Sequence, residues 1–139
     1  VIIRGIVMRN YYLVLELLPV CGFIYAHYCE KHHSNYPNTS KGYPNKRIKK
    51  SRQGWEVGNQ IMAQAIKSVT TIMILLNVIF FFMNVLNYGF ATLLNLLMIG
   101  IGIYTGEKQL RVCINEKGIV MATPKVKVKR YLLPKLTRK

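Results

Sequence analysis

The chain has 139 residues, of which 51% are apolar and only 18% are charged, and its mean hydropathy is +0.19. Soluble domains carry about 25% charged residues, so this composition indicates a protein that contacts lipid. Twenty Lys and Arg against five Asp and Glu give a net charge of +15. That excess excludes an acidic or balanced soluble enzyme and leaves nucleic acid or an anionic membrane as the electrostatic partner.

The first long apolar run covers residues 11–28, which is about the minimum length for a transmembrane helix, and tyrosines flank it. Glu16 is ionisable within the run, and Pro19 removes one helical hydrogen bond and is expected to kink the helix. We predict a first span here, with a buried helix of a soluble protein as the alternative. The run has no A-x-A cleavage pattern, so a removable signal peptide is not expected.

A polar connector, residues 29–67, follows the first run. Its first half is rich in Asn, Ser and Pro, which predicts turns rather than a continuous helix. Ser51 then suits a helix N-cap, and apolar residues recur after it at helical spacing. We predict a short amphipathic helix that lies in the membrane interface, anchored by Trp55, and leads into the second span.

Residues 68–106 contain no charged side chain. One straight helix of that length would extend about 58 Å, whereas the hydrocarbon core of a bilayer is about 30 Å thick. We therefore predict two spans, near residues 68–86 and 90–105, joined by a turn at Asn87-Tyr88-Gly89.

The chain from residue 107 to residue 139 forms a basic polar tail. Near its start, residues 115–118 resemble a turn between two apolar segments, which favours a β-hairpin there. The predicted fold is thus an all-α integral membrane protein with three transmembrane helices and an interfacial amphipathic helix before the second.

The distribution of basic residues predicts the orientation of these spans. The connector holds eight Lys and Arg and the tail holds ten, while the N-terminal segment has only Arg4 and Arg9, and the turn near Asn87 has none. With three spans, the connector and the tail fall on the same side, which the positive-inside rule makes cytoplasmic. We expect a multi-pass protein of the bacterial cytoplasmic membrane, with its N-terminus outside, its C-terminus inside and anionic headgroups as partners.

The connector carries a pattern of glycine, aromatic, basic and amide residues. The residues are Gly42, Tyr43, Arg47, Lys50, Trp55 and Asn59. From residue chemistry alone, they form a turn, a cationic cluster at the headgroups and an interfacial tryptophan, as in a membrane-anchored loop. Their spacing also resembles the signature G-Y-R-T-x-R-S-x-K-N-x-x-x-W-x-x-A-N of the SdpI family of small bacterial membrane proteins, which lies between a transmembrane helix and a following hairpin. The six residues match without a gap, whereas among the positions that depart from the signature Pro44, Asn45, Ser51 and Gly58 stand where the family has Arg, Thr, Asn and Ala.

The resemblance, which covers about residues 20–110, implies a membrane immunity protein. The best-known member of that family protects the producing cell against its own secreted peptide toxin and also signals by holding a repressor at the membrane. A chain of this kind would bind an amphipathic peptide at an outward or intramembrane surface, and its basic cytoplasmic face would contact a protein partner. The main alternative is a small accessory subunit of a larger membrane complex.

Four polar residues inside the predicted spans are candidates for such a surface: Glu16, Asn77, Asn84 and Asn95. Asn77 and Asn84 share a helical face, and Asn95 is expected across the hairpin from them. Hydrogen bonds between helices are the structural alternative for the three amides. An intramembrane carboxyl such as Glu16 needs a partner, and an Asn is the expected one.

A cluster of metal-ligating residue types ends the first run: His27, Cys29, His32 and His33. Imidazole and thiolate suit zinc or copper, but the spacing matches no established site, so we expect no metal or other cofactor, with a metal-linked membrane enzyme as an alternative. The chain has no Asp, GxSxG, HExxH, P-loop or GxGxxG pattern, and we predict binding rather than catalysis. The basic tail lacks the interleaved aromatic residues of a nucleic-acid binder, so no nucleic acid is expected.

Overall fold

The computed structural model describes residues 2–83 and 87–121. Three long helices dominate them: α1 (Ile2–Lys31), α2 (Arg52–Phe82) and α3 (Tyr88–Cys113). Each is long and apolar enough to cross a membrane. Within these described ranges there is no β-strand, so the prediction of an all-helical chain with three helices of transmembrane length is confirmed.

Helix α1 is longer than predicted, because it begins at Ile2 and continues to Lys31, with Pro19 inside it. Before Tyr11, every described side chain is exposed. At Tyr11 and Tyr12, α1 reaches the start of α3, where the ring of Tyr11 lies 4.5 Å from that of Tyr88. The first turns of α1 therefore extend beyond the contact with the other two helices.

Helix α2 is continuous from the connector into the predicted second span. The Ser51 hydroxyl accepts a hydrogen bond from the Gly54 N–H at 2.8 Å, as an N-cap does. The structure has no separate interfacial helix, since no proline interrupts residues 52–82. The prediction that Trp55 anchors in the headgroup layer is wrong: its side chain is 0% exposed and is enclosed by protein.

Helices α2 and α3 form the predicted hairpin, but the predicted turn at Asn87-Tyr88-Gly89 is misplaced, because α2 already ends at Phe82 and α3 begins at Tyr88. The Asn87 side chain caps α3 by accepting a hydrogen bond from the Phe90 N–H at 3.0 Å. Two glycines on α3 allow this helix to pack closely against α2. A Cβ added at Gly102 would lie 2.9 Å from the Val69 side chain, and a Cβ added at Gly106 would lie 2.6 Å from the Met62 side chain. The face of α3 that carries these two glycines therefore packs against α2 of the same chain.

Helices α1 and α3 both pack against α2 and make few contacts with each other. We call the end of the bundle that holds Tyr11, Tyr12 and Tyr88 the turn end. The opposite end, where the connector folds over the start of α2 and the end of α3, is the connector end. Residues 114–121 fold back there, with one antiparallel bridge between Ile114 and Val120 in place of the predicted β-hairpin.

The main buried core lies at the connector end and joins residues far apart in the chain. Its members are Ile48, Trp55, Val57, Ile61, Met62, Leu110, Cys113, Ile114 and Val120. Apolar burial at this end holds the connector to the helices, so the connector is a folded part of the protein and not a loose loop.

Candidate functional site

The six residues that resemble the SdpI signature lie together at the connector end, and we call them the motif cluster. Asn59 is fully buried at its centre. Its Oδ1 accepts a hydrogen bond from the Tyr43 N–H at 2.8 Å, and its Nδ2 donates to the Trp55 carbonyl at 2.8 Å. Gly42 has φ +149°, and an added Cβ there would lie 2.7 Å from Asn59 Oδ1. The position thus requires glycine both for its backbone conformation and for space.

Trp55 ties the connector to the end of α1. Its indole N–H donates to the Ser34 carbonyl at 2.7 Å, and its ring lies 6.1 Å from the imidazole of His33. His33 in turn lies 2.9 Å from a carboxylate oxygen of Glu56 and 2.7 Å from the Cys29 carbonyl. This tryptophan therefore serves as a buried support for the connector.

The two basic residues of the motif cluster hold the segment that follows α3. Arg47 Nη1 donates to the Ile114 carbonyl at 3.1 Å, and Lys50 Nζ donates to the Glu116 carbonyl at 2.6 Å. The Ser51 hydroxyl donates to the carbonyl of Gly118. Arg47 and Lys50 thus bind backbone carbonyls within the chain, in contrast to the cationic headgroup cluster that residue chemistry alone suggests.

Glu107 is hydrogen-bonded to the motif cluster through Tyr43. The sequence did not predict this contact, and Glu107 was expected only as the first residue of the tail. Its carboxylate accepts hydrogen bonds from the Tyr43 hydroxyl at 2.7 Å and from Asn45 Nδ2 at 3.0 Å. Burial, and then the hydrogen bond to Glu107, raise the pKa of Tyr43 above its usual value. The available signal was that Glu107 is the first charged residue after the uncharged stretch.

Two of the amides in the predicted spans form a pair between α2 and α3. Asn77 Nδ2 donates to Asn95 Oδ1 at 3.0 Å, and Asn95 Nδ2 donates to Asn77 Oδ1 at 2.9 Å, with both side chains buried. The structure therefore brings together two of the predicted polar residues as interhelical hydrogen-bond partners. Asn84, the third amide, lies outside the described residues.

Glu16 faces a lateral cleft between α1 and α2. The cleft has a volume of about 250 Å³ and is lined by Tyr12, Leu13, Glu16, Asn77, Val78, Phe81 and Phe82. One carboxylate oxygen of Glu16, Oε1, is buried and has no hydrogen-bond partner among residues 2–83 and 87–121. The Glu16 carboxyl also hydrogen-bonds the Asn77 side chain, so its partner is an Asn, as predicted, and both groups lie beside a largely apolar cleft.

The histidine and cysteine cluster does not assemble a metal site. Cys29 is buried, whereas His27 and His32 are exposed with ring centroids 6.2 Å apart. His33 points away from them toward Glu56. In the part of the chain that the structure describes, no group of three or more His, Cys, Asp or Glu side chains could hold a metal ion, so the metal-linked alternative gains no support.

The motif cluster lies at one end of the bundle, and each of its six residues contacts another part of the chain. Comparisons with protein-family models, curated proteins and solved structures give no significant match. A function for the chain is therefore inferred from its own residues and from the resemblance that the motif cluster carries.

Proposed function

We propose that the chain is an immunity protein of the bacterial cytoplasmic membrane that protects the cell by binding a membrane-active peptide toxin, as the resemblance to the SdpI family implies. Protection by binding needs a surface at membrane depth that meets the peptide before it disrupts the bilayer. The cleft beside Glu16 is such a surface, because it opens between two helices of transmembrane length.

The observation that carries this proposal is the convergence of the motif residues. Gly42, Tyr43, Trp55 and Asn59 share one set of contacts, and Arg47 and Lys50 donate hydrogen bonds to the segment that follows α3. The spacing of the signature thus corresponds to one folded unit in this protein, which supports the family resemblance.

The proposed orientation places the connector end in the cytosol and the turn end outside. Several basic side chains are exposed at the connector end, among them Lys46, Lys49, Arg52, Lys108 and Lys117. At this depth they would contact anionic headgroups or the acidic surface of a protein partner, and either contact would serve signalling through the cytoplasmic face. The predicted tail beyond residue 121 lies outside the described residues.

A survival assay tests the proposed function. The chain is expressed in a toxin-sensitive bacterium, which is challenged with a panel of membrane-active peptides and compared with cells that carry the empty vector. We expect survival against at least one peptide, and loss of that survival in Trp55→Ala, which removes the support of the motif cluster. Gly100→Ala is the matched control, because a Cβ at Gly100 would meet nothing within 4 Å. Equal killing with and without the chain across the panel would contradict the proposal.

An accessory subunit of a larger complex is the second candidate, and the start of α1 favours it. The helix extends beyond the bundle, and Ile2 and Ile3 are about 80% exposed there. A subunit of this kind would retain a stoichiometric protein partner through extraction in a mild detergent. Recovery of the chain alone, or only with copies of itself, would favour immunity.

A further inference from the structure

The cleft beside Glu16 lies near the turn end of the bundle. Glu16 is one helical turn from Tyr12, whose ring lies 6.4 Å from that of Tyr88 at the start of α3. Phe82, at the last residue of α2, forms part of the opposite wall. In the proposed orientation, a molecule that enters the membrane from outside reaches this cleft first.

The polar groups of the cleft leave one acceptor unused. Asn77 hydrogen-bonds Asn95 in the reciprocal pair and also the Glu16 carboxyl, while the Oε1 atom of Glu16 is buried without a hydrogen bond. The ion pairs of the described chain join Lys67 to Glu30 and His33 to Glu56, and neither includes Glu16. A buried carboxyl oxygen without a donor is unfavourable, so a donor supplied by a ligand would gain a strong interaction there.

The side chains that line the cleft indicate which other groups a ligand would carry besides that donor. Leu13 on α1 is 62% exposed, and on α2 Phe82 is 74% and Val78 is 42% exposed. These side chains present apolar surface on both sides of a carboxyl. A complementary ligand has an apolar face and one basic group that projects from it, as in an amphipathic helix with lysine or arginine.

We propose that this cleft binds a basic amphipathic peptide, with the ammonium or guanidinium group of one basic side chain at Glu16 and the apolar face of the peptide against Leu13, Val78 and Phe82. This inference rests on the proposed immunity function and names the site and the ligand class for it. The basic group donates a charge-assisted hydrogen bond to the unused carboxyl oxygen. The peptide is thereby held between α1 and α2 and does not associate with other copies in the bilayer.

A crosslinking experiment tests the contact directly. The protein in phosphatidylcholine nanodiscs is mixed with a synthetic 14-residue leucine–lysine amphipathic peptide whose N-terminus is acetylated and whose C-terminus is amidated. A membrane-permeant carbodiimide then converts accessible carboxyls to O-acylisoureas, and a lysine amine in contact forms an amide by displacing the urea. We expect an adduct of one peptide per chain, mapped to Glu16 by peptide mass spectrometry. The same peptide with every lysine acetylated should give no adduct.

Two variants make the result specific. Glu16→Gln should lose at least tenfold of the adduct, whereas Glu116→Gln, which changes an exposed carboxyl at the other end, should keep it. An unchanged emission spectrum of Trp55 in both variants verifies that the fold is retained. Absence of an adduct at Glu16 in the native chain, or equal adduct in Glu16→Gln, would overturn the inference.

The survival assay separates this inference from the proposed function. If the native chain protects cells and Glu16→Gln protects them equally, the cleft is not the binding site and the immunity function stands. If the native chain protects and Glu16→Gln loses at least tenfold of the survival advantage, both are supported. If the native chain protects against no peptide while the adduct at Glu16 forms, the cleft binds basic peptides and immunity is contradicted.

Discussion

Replacement of Gly42 by alanine tests the centre of the motif cluster with the addition of a single methyl group. Gly42 has φ +149°, a conformation that residues with a Cβ rarely adopt. The new Cβ would also lie 2.7 Å from Asn59 Oδ1 and 2.8 Å from the indole ring of Trp55. Since both neighbours are fully buried, neither has open space into which it can move.

The expected loss of stability has two parts. A residue other than glycine in such a backbone conformation costs about 1–3 kcal/mol. Overpacking of a filled core costs about 1–3 kcal/mol more. We therefore expect Gly42→Ala to lower the free energy of unfolding by about 2–6 kcal/mol, a large part of the 5–15 kcal/mol that is typical of a domain.

The sole tryptophan of the chain reports directly on this region. In mild detergent, the buried Trp55 should emit at short wavelength, and titration with sodium dodecyl sulfate should shift the emission to longer wavelength as the connector end unfolds. We expect the midpoint of this transition to fall markedly in Gly42→Ala. The hydrogen bond from the Tyr43 N–H to Asn59 should weaken as well, with faster amide hydrogen exchange at Tyr43.

Gly100→Ala is the control for the general effect of adding a methyl group to a glycine. Gly100 lies within α3, and a Cβ there meets nothing within 4 Å. Its transition should stay at the native midpoint or rise slightly. If Gly42→Ala unfolded at the same midpoint as Gly100→Ala, the close packing described for the motif cluster would be refuted.

Three further predictions concern the helix pair, the tyrosine network and the orientation. In a double-mutant cycle of Asn77→Leu and Asn95→Leu, we expect a coupling free energy of about 0.6–2 kcal/mol, measured by the same titration; additive effects would contradict the reciprocal hydrogen bonds. Because the pKa of Tyr43 is raised in the folded state, the contribution of this tyrosine to the free energy of unfolding is fully present below pH ~10 and decreases as the pH rises further. The stability difference between the native chain and Tyr43→Phe should therefore be constant from pH 7 to pH 9 and shrink above pH ~10. A difference that grows with pH would contradict a raised pKa of Tyr43 in the folded state. For orientation, a membrane-impermeant maleimide should label Gly89→Cys in intact cells and Lys49→Cys only after permeabilisation, each relative to the unaltered chain; the reverse pattern would invert the proposed topology.

The helical architecture follows from local properties of the sequence. The length of the uncharged stretch demands two helices, and Asn87 marks the start of the second, because a side chain that caps a helix acts only on the nearest backbone N–H groups. The extent of the helices was less predictable. Helix α1 includes residues before Tyr11, and α2 includes the segment expected to lie in the interface, because hydropathy marks the apolar part of a helix and not its ends.

The role of Trp55 shows where periodicity alone is ambiguous. A tryptophan beside basic residues near a membrane span suits either the headgroup layer or a protein core. The choice depends on whether other protein segments cover the indole, and here Gly42, His33 and the Ser34 carbonyl do so. Those residues contact the indole of Trp55 only when the connector is folded.

The sequence by itself determined that the chain is helical, that three of its segments are long and apolar enough to span a bilayer, and that two of them form a hairpin near Asn87. Only the tertiary structure decided that Tyr43 meets Glu107, 64 residues away, and that one oxygen of Glu16 is left without a hydrogen bond beside a cleft. Hydropathy and helix capping are properties of neighbouring residues, whereas a hydrogen-bond partner on another helix depends on how the helices pack. That packing arises from close contacts at positions such as Gly102 and Gly106, which a single sequence does not pair with their partners.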